Sequence, residues 1–438
     1  MANDAWTDIK LSDVIDVKHG FAFSGDHIAD EPPGDILLTP GNFAVGGGFK
    51  RGKYKYYRGP VPEEYVLHEG DLIVTMTDLS KQSDTLGYAA IVPTPVNVRF
   101  LHNQRLGRVL IRDSAKLDGR FTSYLLRTDK YRREVLAGAT GTTVKHTSPD
   151  RILNYRTSIP PLSEQRAIAQ ILGSLDDKIE LNRRMNDTLE AMARALFQSW
   201  FVDFDPVRAK GEGRAWHLSA QLADLFPGSF ESSELGEIPN GWNSGTLGDV
   251  ADHPRRSVRP DEIDPATPYI ALEHMPRRSI ALSEWGLADG LESNKFEFER
   301  GEMLFGKLRP YFHKVGIAPV NGVCSTDIVV VAPRKDAWFG FVLGHLCSDA
   351  FVNYTNSGST GTKMPRTSWS EMARYQTVLP PKNIAAAFTD LIRPLTDRII
   401  VSIHECRTLA ALRDTLLPKL ISGELRVKDA EQFAAGGL

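Results

Sequence analysis

The densest group of side chains able to contact an anionic ligand lies in residues 50–58. Cations and aromatic rings are interleaved there, and the candidate contacts are Lys50, Arg51, Lys53, Lys55, Tyr57 and Arg58. Lysine and arginine neutralise the phosphates of a nucleic acid, and aromatic rings pack against its sugars or bases. If the segment is a β-strand, Lys53 and Lys55 share one face. A solvated edge strand, whose lysines discourage aggregation, is the alternative interpretation.

A second segment, in the later part of the chain, combines cations and rings with a strand-like alternation. Its candidate contacts are Lys307, Arg309, Tyr311 and His313. Apolar or cyclic residues occupy the positions between them, so the period of two predicts a strand with one face on a core and one toward a ligand. Arg255 and Arg256, close to Arg259, form a further candidate patch, although runs of charge are usually solvated.

Two repeated glycine loops, residues 142–146 and 362–366, each bring hydroxyls and cations next to backbone amides that glycine frees. The candidate contacts are Thr142, Lys145 and His146 in the first loop and Lys363 and Arg366 in the second. Groups of this kind can hold a phosphate. A tight structural turn explains the same residues equally well, so both interpretations stay open.

The sequence contains no set of residues that would do catalysis. Residues 47–53 have the spacing of a phosphate-binding P-loop, but Tyr54 stands where a serine or threonine should hold magnesium. The Pro-Pro pairs lack the preceding Asn or Asp and the following aromatic residue of an amino-methyltransferase. The eleven histidines show no metal-ligand spacing. We therefore assign no catalytic, cofactor-binding or metal-binding residue.

The elements that must position these segments are repeated. Residues 138–161 align without gaps to residues 358–381, with ten of the 24 positions identical. Residues 6–14 resemble residues 242–250, and Asp177-Lys-Ile matches Asp397-Arg-Ile. Three matches in the same order indicate two copies of one unit. In each copy, short apolar runs between Gly and Pro breaks predict strands, and a strongly helical segment follows.

Each helical segment carries one apolar stripe. In the first copy the stripe consists of Ile168, Leu172, Leu175, Ile179, Leu189, Met192 and Leu196; the second runs from Phe388 to Leu416. Core packing within one domain would explain a single stripe, but two equivalent stripes favour pairing of the helices. We expect both helices to break, at Gly173-Ser174 and at Arg393-Pro394, and the second to stop at Gly423.

The charge, the cysteines and the apolar segments of the chain limit which classes of protein it can belong to. The net charge is -3, and the acidic excess lies in residues 161–240, which leaves the flanking blocks free to present basic faces. The three cysteines have no CxxC spacing, so neither a disulfide framework nor a zinc ribbon is supported. No segment reads as a signal peptide or a membrane span. We expect a reducing, cytoplasmic location.

Several segments resemble the specificity subunits of type I restriction-modification systems. Residues 159–179, Ile-Pro-Pro-Leu-Ser-Glu-Gln-Arg and onward, look like the start of that family's central repeat. Residues 201–206 and 233–242 look like its link into the second half, and residues 416–425 are similar to its usual C-terminus. Segments 70–78, 103–105 and 306–315 also resemble recurring family segments. One departure is that Pro381-Lys-Asn-Ile lacks the Glu-Gln-Arg of the first copy.

The resemblance implies an α+β fold with two globular target recognition domains in a pseudo-twofold repeat, joined by two long antiparallel coiled-coil-like helices. We place the first recognition domain at 1–160, the central helical spacer at 161–205, a linker at 206–240, the second recognition domain at 241–380, the C-terminal helical spacer at 381–425 and a tail at 426–438. It also implies a bipartite, asymmetric site on double-stranded DNA, with the helices setting the gap between its halves.

The implied partners are two adenine methyltransferase subunits and, in the full complex, two motor-nuclease subunits. S-adenosylmethionine, ATP and magnesium are expected in those partners, and no cofactor in this chain. Two other functions remain open: an interaction scaffold that does not read DNA, and a methyltransferase or nuclease fused to recognition domains. The sequence does not indicate which bases are read or how long the spacer is.

Overall fold

The structure of the protein, a computed structural model, describes residues 6–52, 54–78, 80, 83–94, 98–142, 144–215, 219–359, 361 and 364–429. The chain divides into two compact units, one formed by Met1–Asp177 with Ala410–Leu438 and the other by Lys178–Leu409. Both boundaries between the units fall inside long helices.

Short strands, broken by turns, make up most of the first unit. In chain order they are Thr7–Lys10 (β1), Ile15–His19 (β2), Ile28–Ala29 (β3), Asp35–Leu38 (β4), Lys55–Tyr57 (β5), Val66–Leu67 (β6), Leu72–Thr75 (β7), Thr77–Asp78 (β8), Ala89–Ile91 (β9), Phe100–His102 (β10), Leu106–Ile111 (β11), Lys145–His146 (β12) and Arg156–Ile159 (β13). They form a five-stranded sheet, β3-β5-β4-β10-β6, and a four-stranded sheet, β2-β11-β7-β9. Two further pairs, β1 with β13 and β8 with β12, complete the unit.

The helices of the first unit follow its sheets. They are Gly119–Leu125 (α1), Asp129–Ala137 (α2), Pro149–Leu153 (α3) and the long helix Leu162–Phe201 (α4), of which the residues up to Asp177 belong to this unit. Asp118 caps α1, because its carboxylate accepts the amide of Phe121 at 2.9 Å. Ile36 of β4, Phe100 of β10 and Ile73 of β7 lie in one apolar cluster, so the two sheets share a core.

The second unit repeats this plan with different residues. Its strands are Phe230–Ser233 (β14), Gly236–Pro239 (β15), Asn243–Thr246 (β16), Ala251–Asp252 (β17), Ser257–Val258 (β18), Pro268–Ile270 (β19), Gly286–Leu287 (β20), Lys295–Phe298 (β21), Met303–Gly306 (β22), Val315–Ile317 (β23), Gly322–Cys324 (β24), Ile328–Pro333 (β25) and Gln376–Leu379 (β26). Its helices are Asp205–Gly211 (α5), Ala220–Ala223 (α6), Leu247–Val250 (α7), Phe339–Leu346 (α8), Asp349–Ser357 (α9), Trp369–Met372 (α10) and the long helix Lys382–Ser422 (α11), of which the residues up to Leu409 belong to this unit.

The predicted internal repeat is confirmed at the level of topology. The four-stranded sheet β17-β25-β22-β23 has the order of β2-β11-β7-β9, and β16 pairs with β26 as β1 pairs with β13. Helices α8, α9 and α10 each begin 220 residues after α1, α2 and α3. The five-stranded sheets differ at one edge: β3 lies beside β5 in the first unit, whereas β18 lies beside β21 in the second.

The long helices run antiparallel to each other, as expected for paired apolar stripes. Within the second unit, the thiol of Cys406 on α11 lies 3.7 Å from the carbonyl oxygen of Ile179 on α4. Further along α4, the ring of Phe201 lies 4.8 Å from that of Phe388. Residues later in α4 therefore contact residues earlier in α11, which is the antiparallel arrangement. Met192 is an exception to its predicted stripe, because 48% of its surface is exposed.

The predicted breaks in these helices are wrong. Both α4 and α11 continue without interruption through Gly173-Ser174 and Arg393-Pro394. Gly173 allows the Arg120 side chain to pack close to the backbone of α4, since an added Cβ would lie 2.4 Å from the guanidinium carbon of Arg120. Pro394 is exposed, so its ring points away from the packed side of α11. The predicted stop is confirmed: α11 ends at Ser422, and Gly423 has φ +75°.

Candidate nucleic-acid interface

In the second unit, residues 307–313 form a compact turn instead of the predicted strand. The strand β22 ends at Gly306, and Pro310–Phe312 make a single 3-10 turn. Arg309 and His313 flank it with φ of 52° and 50°. The strand prediction failed because Pro310 fixes its own φ and supplies no amide to a ladder. A left-handed backbone at a non-glycine residue costs roughly 1–3 kcal/mol and is enriched at functional sites.

Three separate segments meet at this turn, and we call them the second loop cluster: residues 277–278, 307–313 and 364–366. The amide of Arg278 donates to the carbonyl of His313 at 2.8 Å, and the amide of Arg309 donates to that of Pro365 at 2.7 Å. The amide of Thr367, directly after the cluster, donates to the carbonyl of Lys307 at 3.0 Å. The fold thus brings together the predicted contacts of residues 307–313 and Arg366 of the second glycine loop.

His313 acts as the internal support of the cluster. Its side chain is buried, and Nε2 lies 3.0 Å from the carbonyl oxygen of Cys347. Nδ1 lies 3.4 Å from the carboxylate of Asp349, which also pairs with Arg278 at 2.9 Å. Burial lowers the pKa of His313, which keeps the ring neutral near pH 7. Since its ring is enclosed, His313 positions the turn and presents little surface to a ligand.

Several cations of the cluster remain available. Within the residues that the structure describes, Lys307, Arg309 and Arg277 form no ion pair, whereas Arg366 pairs with Asp327 at 3.2 Å. Arg277 was missed in the sequence because an isolated Arg-Arg pair has no distinctive pattern. Beside them, Tyr311 has 49% of its surface exposed. Free cations next to an exposed ring are what phosphates and bases require.

The first unit contains an equivalent group, which we call the first loop cluster: residues 77–78, 80, 83–86, 140–142 and 144–146. Here β8 pairs with β12, so that Thr77 lies opposite His146, and Leu308 lies opposite Arg366 in the second unit. His146 lies 220 positions before Arg366, and the same offset separates the equivalent helices of the two units, so His146 and Arg366 are equivalent. Their pairing partners, residues 77 and 308, are therefore equivalent as well. The sequence offers only a slight signal for the equivalence of residues 77 and 308. Gly70-Asp71 precedes the first of them, and the similar pair Gly301-Glu302 precedes the second.

Asp78 holds the first loop cluster together. Its carboxylate accepts the amides of Ser80 at 2.6 Å, Thr85 at 2.5 Å and Leu86 at 2.9 Å. Burial alone would raise the pKa of Asp78, but the hydrogen bonds from the Ser80 and Thr85 amides outweigh it and lower the pKa. Arg132 supports the same loop by donating to the carbonyl oxygen of Leu86 at 3.2 Å. A loop held in this way is preorganised for contact.

The predicted contacts of the first glycine loop sit at its edge. Lys145 and His146 form β12, and His146 Nδ1 lies 3.1 Å from the hydroxyl of Thr77. Thr142 is exposed, and Gly141 before it has φ +95°, as does Gly361 in the second unit. Both loops therefore share a glycine with a left-handed backbone at the same position. Lys363 lies outside the described residues.

The patch at residues 50–58 is less uniform than its sequence suggests. Among the described residues of this patch, Lys55–Tyr57 alone form a strand. Lys55 is ion-paired with Asp30, and Tyr57 is buried against Phe23 with ring centroids 4.8 Å apart. Arg58 donates to the carbonyl oxygen of Pro33 at 2.8 Å. Lys50 and Arg51 are exposed, and Lys53 lies outside the described residues. The four described cations of the patch are all exposed, and Lys55 and Arg58 are engaged in local contacts.

The patch around Arg255 also divides. Arg256 is ion-paired with Glu302, the equivalent of Asp71 in the first unit. Arg255 is exposed and has φ 51°, and no carboxylate pairs with it in the part of the chain that the structure describes. The structure thus leaves Arg255 available and gives Arg256 a structural partner.

Comparisons with known proteins agree with this architecture. The family model described as the type I restriction modification DNA specificity domain matches residues 3–191. The chain is 25% identical over 366 residues to the type I restriction enzyme MjaIX specificity subunit of Methanocaldococcus jannaschii, covering 78% of this chain and 76% of that one. It is 26% identical over 352 residues to the HindI specificity subunit of Haemophilus influenzae, covering 68% and 75%.

A solved structure shares the fold. The type I restriction-modification S subunit from M. genitalium superposes with a TM-score of 0.54 at 15% identity, covering 96% of this chain and 97% of that one. Among the described residues, no helix combines the length and the apolar character needed to cross a membrane.

Proposed function

This chain belongs to the family of type I restriction-modification specificity subunits, and from that premise we propose that each of its two units reads one half of a split DNA site. The observation that carries the proposal is the pair of loop clusters. Both occupy equivalent places, after β7 and after β22, yet their side chains differ: Thr77-Asp78 in one and Leu308-Arg309 in the other. A shared frame that carries different side chains suits two different half-sites.

The cations left without acidic partners support contact with DNA. Lys50, Arg255, Lys307 and Arg309 form no ion pair among the described residues. Neutralising phosphates releases counterions, so each such contact strengthens binding at low salt. Backbone contacts position a protein on the duplex, and base contacts select the sequence. We assign the first role to these four cations and the second to the remaining side chains of the loop clusters.

The chain itself is a non-catalytic subunit in this proposal. Two methyltransferase subunits would bind it and methylate adenine, and two motor-nuclease subunits would join the full complex in the cytoplasm. S-adenosylmethionine, ATP and magnesium would act in those partners. The exposed apolar residues Leu181 and Met192 on α4 and Val401 on α11 support docking of a partner on the helices. The paired helices would set the gap between the two half-sites.

Salt dependence separates this proposal from an interaction scaffold. The complex of this chain with its methyltransferase subunits is titrated with duplexes that contain or lack the target, between 50 and 200 mM salt. With about 6–10 phosphate contacts, affinity should fall roughly 10³- to 10⁵-fold over that range. The control is the methyltransferase alone. If adding this chain changes neither affinity nor preference for the target, the scaffold is the better description.

A further inference from the structure

Arg277 is a cation that neither the repeat nor any motif singles out. Its guanidinium carbon lies 3.9 Å from the centroid of the Phe312 ring, within the range of a cation–π contact. Arg309 lies 5.8 Å from the same ring, and the Tyr311 ring lies 4.8 Å from it at a steep angle. Phe312 is therefore the centre of a group of two arginines and an exposed tyrosine.

The Arg277 side chain is exposed, and it has no acidic partner among the residues that the structure describes. Its neighbour Arg278 differs, because it pairs with Asp349 at 2.9 Å. The stack on Phe312 therefore orients the plane of the Arg277 guanidinium without neutralising its charge. An arginine in this state presents a flat fork of N–H donors to whatever binds there.

The platform beneath Arg277 is built from strained backbone. Arg278, Arg309 and His313 all have φ between 50° and 56°, and they lie within two hydrogen-bonded segments of the second loop cluster. Left-handed conformations at three non-glycine residues are kept only where the surroundings enforce them. The hydrogen bonds that enforce these conformations fix the turn that carries Phe312 and hence the position of the stack.

We propose, building on the proposed function, that Arg277 is a base-reading contact of the half-site bound by the second unit. A guanidinium held in one plane matches the two acceptors that guanine presents in the major groove. The neighbouring exposed groups favour a base over a phosphate, since Tyr311 and Met364 expose 49% and 50% of their surfaces. Rings and thioethers contact base faces and thymine methyl groups well, and phosphates poorly. Lys307 and Arg309 then hold the adjacent backbone.

The test compares three variants in the complex with the methyltransferase subunits. Arg277→Ala removes the side chain, and Arg277→Lys keeps the charge but loses the planar fork. Arg300→Ala is the matched control, because Arg300 is an exposed arginine in the turn before β22, at the end of that strand remote from the cluster. Genome-wide mapping of methylated adenines gives the motif, and methylation rates on duplexes with each base pair of the site replaced give the discrimination.

Arg277→Ala should relax one position of one half-site and lower the methylation rate on the intact site roughly 5- to 150-fold. Arg277→Lys should act in the same direction, and Arg300→Ala should leave motif and rate unchanged. An unaltered motif for Arg277→Ala would overturn the inference, and so would a uniform loss on all sequences with a salt slope about 0.9 smaller, which marks a phosphate contact. If the unsubstituted chain produces no gapped motif, the proposed function itself fails.

Discussion

Asp176 is the residue at which three elements of the first unit converge. Its carboxylate accepts the hydroxyl of Tyr124 at 2.8 Å and pairs with Arg127 at 3.2 Å and with Arg413 at 2.6 Å. Burial would raise the pKa of Asp176, but the two guanidinium groups outweigh it and lower the pKa. The carboxylate thus ties α4 to the end of α1 and to the last turns of α11. Asp177, the next residue, pairs with Arg120 in solvent and is 68% exposed.

Replacing Asp176 should destabilise the protein far more than replacing Asp177. Asp176→Ala leaves Arg127, which is 4% exposed, without its counter-ion, and we expect a loss of about 3–5 kcal/mol in the free energy of unfolding. Asp177→Ala should cost about 1 kcal/mol or less, since exposed ion pairs contribute little. Denaturant unfolding of the two variants measures the difference. Equal losses would show that the buried pairs do not stabilise the unit.

His345 makes the stability of the second unit depend on pH. It is buried on α8, its Nε2 lies 2.9 Å from the Thr377 hydroxyl, and burial lowers its pKa to about 3. The unfolded chain protonates this histidine near pH 6.5 and the folded chain does not, so its contribution to stability falls as pH drops below about 6.5. Between pH 7.5 and 5.0 it should account for a loss of about 2 kcal/mol.

A variant that lacks only His345 isolates that loss. In His345→Gln the fall in unfolding free energy from pH 7.5 to 5.0 should be smaller than in the unsubstituted chain by about 2 kcal/mol. The control is His68→Gln, which removes a histidine whose side chain is 73% exposed and leaves the buried surroundings of His345 intact. Parallel pH profiles for all three proteins would show that His345 takes up a proton in the folded state.

At the scale of elements, the two long helices tolerate residues that usually end helices. Pro394 lies twelve residues inside α11, and Ser174 occupies the equivalent position of α4. A proline in a helix interior removes one backbone hydrogen bond. The apolar side of α11, with Ile392 and Ile399 almost completely buried, outweighs that loss. Packing of the apolar side therefore keeps α11 continuous, although a proline in its interior favours a break.

Pro394→Ala should raise stability, because the alanine restores the missing amide on an exposed face of α11. We expect a gain of about 1–3 kcal/mol in the free energy of unfolding. Ser174→Ala serves as the comparison and should change it by no more than about 0.5 kcal/mol, since Ser174 is exposed and its hydroxyl only returns to the Ile171 carbonyl at 2.8 Å. A loss of stability in Pro394→Ala would indicate that a proline-induced bend is needed for packing.

The repeat, the strand-rich units and the pairing of the helices could be read from the sequence, because periodic apolar residues and duplicated segments record them directly. The turn at residues 307–313 could not, since its alternation imitates a strand and only the tertiary hydrogen bonds to Pro365 and Arg278 decide otherwise. The burial of Tyr57 and His313 was hidden for the same reason. Arg277 gains its position from a ring on a distant segment, which no local pattern reveals.

At the scale of the whole molecule, the spacing of the two half-sites should follow the length of the paired helices. Inserting seven residues between Asp177 and Lys178 and seven between Leu409 and Ala410 preserves the apolar repeat and adds about 10 Å of helix. We expect the gap in the methylated motif to grow by about three base pairs, with both half-sites unchanged. An unaltered gap in methylation mapping would mean that the helices do not determine it.

The most direct test of the central claim is a genome-wide map of methylated adenines. The chain is expressed with its methyltransferase subunit in an unmethylated host, and the control omits this chain alone. Our account predicts a bipartite, gapped motif that disappears in the control, because each unit supplies one half of the recognition. A soluble, co-purified complex that adds no new methylation would contradict the account and favour a scaffold.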